Sequence, residues 1–168
     1  MAEGEIGRGA RGVGRARQVT NASGDELGGI LGERADFEKT ARALFSLIPS
    51  GFERVELRMR ALVGFNSASA RILRADGSRD SLKDFDSATD AAKRLRGAMY
   101  REGAGTWFSV LFVVTVEGKV DVAYNYDEEP EWKYPIDPVL YVQDLEKFPR
   151  DPENIPEWLQ KRVLEARS

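Results

Sequence analysis

Two residue types are missing from this 168-residue chain, which has no cysteine and no histidine. Without cysteine there is no disulfide framework and no thiolate, whether as nucleophile or as metal ligand. Without histidine the most frequent general base and nitrogen ligand are gone. Carboxylate, serine, lysine or tyrosine chemistry is what remains open. The lack of cysteine fits a reducing compartment. Long apolar runs are missing as well. No segment reaches the ~20 apolar residues of a membrane helix, and no apolar signal-peptide core follows the N-terminal arginines. The expectation is a soluble, cytoplasmic protein. Phosphate-loop glycines are lacking too. Gly7-Arg8-Gly9 and Gly28-Gly29 have neither the preceding strand nor the spacing, and no serine sits in a G-x-S-x-G elbow.

What is present is enough apolar sequence, 42% of residues, to build one core unaided. The formal net charge of −3 conceals a segregation. Residues 33–116 carry 14 basic and 11 acidic side chains, a net of +3, whereas 117–158 carry 4 and 12, a net of −8. An acidic C-terminal third steers a basic partner and disfavours nucleic acid. The plainer reading is a solvated loop face.

Residues 1–32 read as a disordered tail. GRGARGVGRARQ offers almost nothing to bury. Arg8, Arg11, Arg15 and Arg17 are candidate nucleic-acid contacts, but no aromatic residue interleaves with them for stacking. A flexible tail, or non-native residues from an upstream start codon, accounts for them as well. Residues 33–168 are then expected to form a single domain. Phe37, Ala41, Leu44, Phe45 and Ile48 recur at helical spacing, predicting a helix over 33–48 that Pro49-Ser50-Gly51 ends. Alternation predicts a strand over 54–65, with Arg54, Glu56, Arg58 and Arg60 on its outer face, and a second over 69–75 stopped by Asp76-Gly77. Ala88, Ala91, Ala92, Leu95, Ala98 and Met99 define a second helix over 87–101, with Ser87 as its N-cap and Asp90 at the capping-box position.

Residues 106–116 form a strand apolar on both faces, the pattern of a covered central strand. Glu117-Gly118-Lys119 turns it into a partner over 119–126. There Val120, Val122, Tyr124 and Tyr126 face the core, and Lys119, Asp121, Ala123 and Asn125 face water. The strand breaks into DEEPEW, an acidic, aromatic loop. Six prolines follow between Pro130 and Pro156, alongside Trp132, Tyr134, Tyr141 and Phe148. That predicts an ordered, packed loop with one helical turn near 142–146. A last helix runs from 154 to 166, with Asn154 as its N-cap and Pro156 in its first turn.

Asp121, Asp127, Glu128 and Glu129 are the candidates for acid–base work or for a divalent metal. DEEPEW lacks the spacing of a calcium loop, and paired catalytic carboxylates need a pocket that splits their pKa values. Neither metal nor cofactor is expected. Arg54, Arg58 and Arg60 are candidate phosphate contacts, but Glu56 stands among them, and cross-strand ion pairing is the cheaper explanation.

SLIPSGFERVELRM, GTWFSVLFVVTVEGKVDVAYNYDEEP and DLEKFPRDPENIPEWL together resemble the YezG-type antitoxin and immunity proteins. The most family-like element is a tryptophan-led strand, a tight hairpin and a second strand closing in D-x-x-Y-N-Y-D. Those positions are Trp107, Gly118, Lys119, Asp121, Tyr124, Asn125, Tyr126 and Asp127, and the likeness spans about 33–164. The resemblance implies a small intracellular α+β protein without enzymatic activity. It would bind and silence the toxic C-terminal domain, often a nuclease, of a secreted polymorphic toxin. The Gly/Arg tail departs from the family's compact start. Contact residues do not carry over, because such proteins diverge with their toxins.

The expected fold is therefore α+β. An antiparallel sheet of about four strands carries two helices on one face, and a C-terminal helix docks on the body. The expected partner is a cognate toxin domain with a basic cleft, held by Asp121, Asn125, Asp127, Glu128, Glu129 and Trp132. Acidic residues would speed the encounter and aromatic ones anchor it. The alternative is a nucleic-acid-binding or regulatory domain acting through its arginine face and tail.

Overall fold

A computed structural model describes the backbone of residues 24–168 and the side chains from Gly29 onward. The Gly/Arg segment expected to be a tail lies for the most part outside these described residues. The architecture is α+β. Five antiparallel strands, β1 (Arg54–Leu62), β2 (Phe65–Leu73), β3 (Arg79–Leu82), β4 (Ser109–Thr115) and β5 (Val120–Asn125), lie in the order β3-β2-β1-β4-β5. Two helices, α1 (Gly24–Ser46) and α2 (Asp86–Ala98), pack against each other and close one face.

The core follows from alternation. Val55, Leu57, Met59 and Ala61 of β1 and Val110, Phe112 and Val114 of β4 point at the helices and are buried. Leu44 of α1 and Ala88, Ala92 and Leu95 of α2 meet them. Small residues on α2 let that helix approach the sheet closely, so Leu95 is fully buried.

Five strands replace the four expected. Asp76-Gly77 is not the end of the second strand's sheet but the turn of a further hairpin. The Asp76 carboxylate accepts the Ser78 N–H at 2.8 Å, and Gly77 takes φ 84°. The extra strand, Arg-Asp-Ser-Leu, has one half-buried apolar residue, so no alternation marks it. Boundaries shift too. The first hairpin turns earlier, at Val63-Gly64, which moves the second strand to Phe65–Leu73. The first helix begins at Gly24, and Phe45, expected on its buried stripe, is 47% exposed while Thr40 is buried in its place. The 107–116 run is covered on one face only. Leu111 and Val113 turn to the second face and are half-buried.

The proline-rich segment holds more than one turn. Helix α3 (Val139–Lys147) starts behind Pro138, whose fixed φ suits a helix entry, and α4 (Glu157–Ala166) starts behind Pro156. Neither predicted cap forms. Phe85 rather than Ser87 is the cap residue of α2, and Asn154 lies in a single 3-10 turn, donating to the Gly103 carbonyl at 2.8 Å. Helices α3 and α4 build a second core around Leu62, Phe108, Tyr141 and Leu159. Among the described residues no helix is long and apolar enough to cross a membrane.

The candidate interaction surface

β5 is an edge strand, and the acidic loop leaves from its end. The loop is pinned by Asn125. Its Oδ1 accepts the backbone N–H groups of Asp127 (3.2 Å) and Glu128 (2.9 Å), and its Nδ2 donates to Ser109 Oγ and to the Glu128 carbonyl. This Asx-type turn is why asparagine suits the position. Trp158 of α4 donates its indole N–H to the Asp127 carbonyl at 2.7 Å. The backbone under these acids is thus held from both sides.

The six predicted contact residues divide into two groups. Asp121, Asp127 and Glu128 are exposed. Asp127 and Glu128 have no cation within 4.0 Å among the described residues, while Asp121 is loosely paired with Lys119 at 3.8 Å. Asn125, Glu129 and Trp132 are half-buried and engaged within the fold. Glu129 accepts the Arg162 Nε–H at 2.7 Å, and that bond, with a second that Arg162 donates to Glu165, pushes the guanidinium pKa up. Trp132 donates to the Tyr141 hydroxyl at 3.1 Å and packs its ring 5.4 Å from Phe65. Tyr124 and Tyr126 turn inward against the main core, as the alternation predicted.

Among the described residues no helix lies over the middle of the second sheet face. Strand register sets its rows. Ser69, Arg58, Leu111 and Ala123 lie side by side, and next to them Ser81, Arg71, Glu56, Val113 and Asp121. Glu56 binds Arg71 across the strands at 2.7 Å, the pairing expected of this face, and Arg54 of its own strand at 3.5 Å. Arg58 and Arg60 have no hydrogen-bond or ion-pair partner among the described residues. A shallow cavity of about 250 Å³ opens between Arg58, Ser69, Arg71 and Ser81.

Sequence reasoning missed the buried ion pair that ties the two halves together. Arg96 of α2 and Asp144 of α3 are each 4% exposed. They form a bidentate pair with both contacts at 2.8 Å, Arg96 Nε also donates to the Trp107 carbonyl, and Asp144 also accepts the Val63 N–H. A signal was present. Arg96 continues the 88, 91, 92, 95 stripe of its helix, and Asp144 sits at i+3 from buried Tyr141. A charge on an apolar stripe calls for a buried counter-charge.

Among the described residues no cluster of carboxylates has the makings of a metal site. No family model and no curated protein matches the chain.

Proposed function

We propose that this chain is an immunity protein, an antitoxin that acts in the cytoplasm. It binds and neutralises the toxic C-terminal domain of a cognate secreted polymorphic toxin, a nuclease with a basic cleft. The resemblance to YezG-type proteins suggests the class. The observation that carries the reading is the pinned acidic loop. Asp127 and Glu128 are exposed, with no cation within 4.0 Å among the described residues, on a backbone held by Asn125 and Trp158. A loop backbone ordered before the encounter loses little conformational entropy on docking. The two carboxylates complement a phosphate-binding cleft and speed association with it. Asp121, on the same edge, extends the charge. Asn125, Glu129 and Trp132 act in this reading as supports of the loop.

The test is co-expression with the toxin domain encoded beside it, scoring rescue of growth and co-purification. Asp127→Lys/Glu128→Lys is expected to weaken binding by about 1 kcal/mol if the charges lie at the rim and by several if they are desolvated. The fold should be unaffected. Unchanged affinity and unchanged association rate would move the interface away from this loop.

A second reading, nucleic-acid binding, draws on Arg58 and Arg60, which have no partner among the described residues. Glu56 and Asp121 on the same face repel phosphate. Salt-sensitive retention on immobilised oligonucleotide that needs Arg54, Arg58 and Arg60 would favour it.

A further inference from the structure

We propose that the cavity between the β1–β2 hairpin, the last turns of α2 and the end of α3 binds a small carboxylate with a flat apolar body. Its volume is about 330 Å³, at the small end of the ~300–1,000 Å³ usual for small-molecule sites. Its place in the fold sets its lining. Ala61 belongs to the main core and Leu62 to the second, and the hairpin that carries both turns at Val63-Gly64. Phe148, directly after α3, lines it as well, with its ring centroid 5.1 Å from the Arg96 guanidinium carbon. The cavity therefore lies at the joint of the two halves of the molecule.

The polar lining is rich in donors. Arg96 is 4% exposed and lines the cavity. A guanidinium has five N–H groups. Three of them are bonded, one to the Trp107 carbonyl and two to the Asp144 carboxylate. Two remain without a partner among the described residues, on a side chain already fixed by its other bonds. Lys93, one turn earlier on α2, brings an ammonium held only loosely, 3.6 Å from the exposed Asp90. Asn66 of β2 adds a half-buried amide with no hydrogen-bond partner among the described residues. No carboxylate among the described residues lines the cavity. Asp144 offsets the charge of Arg96, so Lys93 supplies the net charge and Arg96 the fixed donors. The C-terminal end of α2 is negative by its dipole and opposes an anion. The two cations in its last turns counter that field. Charge-assisted bonds from such donors to a carboxylate are the strong ones. Leu62, Phe65 and Phe148 make the apolar wall, which suits a ring on the carboxylate better than a bare ion. No residue of the acidic loop lines the cavity, so this site stands or falls independently of the proposed toxin site.

Amide chemical-shift titration of the full chain with sodium benzoate tests it. Saturable shifts are expected at the backbone amides of Gly64, Asn66 and Gly97. Benzamide has the same shape without the charge, and should bind about tenfold more weakly. Lys93→Met keeps an aliphatic stem and removes the ammonium, and should raise the benzoate dissociation constant about fivefold. Gly97 lines the cavity and has nothing within 4 Å of an added Cβ. Gly97→Leu should fill the space and abolish binding, with the circular dichroism spectrum unchanged. Arg96 stays intact throughout, because its removal breaks the buried pair. Benzoate that gives no saturable shift at these amides overturns the proposal. So does equal affinity for benzamide, or an affinity that Lys93→Met or Gly97→Leu leaves unchanged. Inorganic phosphate binding there more tightly than benzoate assigns the cavity to a bare oxyanion instead.

Discussion

Deleting the carboxylate of Asp144 leaves a guanidinium buried with a single carbonyl to bond. Arg96 would keep only the Trp107 oxygen, and the Val63 N–H would lose its acceptor. Removing one partner of a buried pair costs about 3–5 kcal/mol, more than the intact pair contributes over an apolar substitute. Asp144→Ala should therefore lower the urea-unfolding free energy by that amount. Arg96→Met/Asp144→Leu should cost clearly less than either single change. A double-variant loss equal to the sum of the two single losses would mean that the pair is not coupled. Trp107 Nε1, by contrast, is buried without a hydrogen-bond partner among the described residues, and the geometry offers no physical account of it.

Elements were legible where period and turn chemistry agreed. The Gly118 hairpin, the alternation of β1 and β5 and the alanine stripe of α2 each left two independent marks. β3 left one, the Asp76-Gly77 turn, because an exposed edge strand needs no apolar alternation. α3 was hidden by prolines that enter at its start and not in its middle. The connection between α2 and β4 left no such mark, yet it is a close-packed corner. Gly103 and Gly105 both take φ 75°, and Gly105 lies against Arg150. A Cβ on Gly105 would stand 2.8 Å from Arg150 Cγ, displacing a guanidinium that donates to the Thr106 and Asn154 carbonyls. Gly51 has a similar φ of 87° but nothing within 4 Å of an added Cβ. Gly51→Ala should cost about 1 kcal/mol of left-handed strain. Gly105→Ala should cost about 3 kcal/mol, because hydrogen bonds to a charged group are lost as well. Equal denaturation midpoints would contradict the packing of Arg150 in this corner.

At the scale of the whole molecule, the charge segregation read from the sequence maps onto two surfaces. The basic half supplies the sheet's open face, and the acidic third supplies the loop and the platform of α3 and α4. What the sequence did not reveal is which acids are already spent. Glu129 is committed to Arg162 and Asp144 to Arg96, because helices distant in the chain return to cover them. Buried phenols in the layer between α1 and β5 link the stability of the molecule to alkaline pH. Tyr124 and Tyr126 lie there, and burial pushes both phenol pKa values above the ordinary 10.0, helped by the nearby Glu33 carboxylate. In the unfolded chain they ionise at about 10. Above that pH the folded chain retains protons that the unfolded chain has released, so the stability slope with pH is negative. The contribution is full below pH 10 and is lost as the pH climbs towards the folded-state values. Urea midpoints measured from about pH 8 upward should therefore hold level and then fall once the phenols of the unfolded state ionise. Tyrosinate absorbance from these residues should appear together with unfolding. Tyr124→Phe should make the alkaline decline shallower, since one of the linked protons is gone. A decline as steep in the variant as in the parent would place the alkaline sensitivity elsewhere in the molecule.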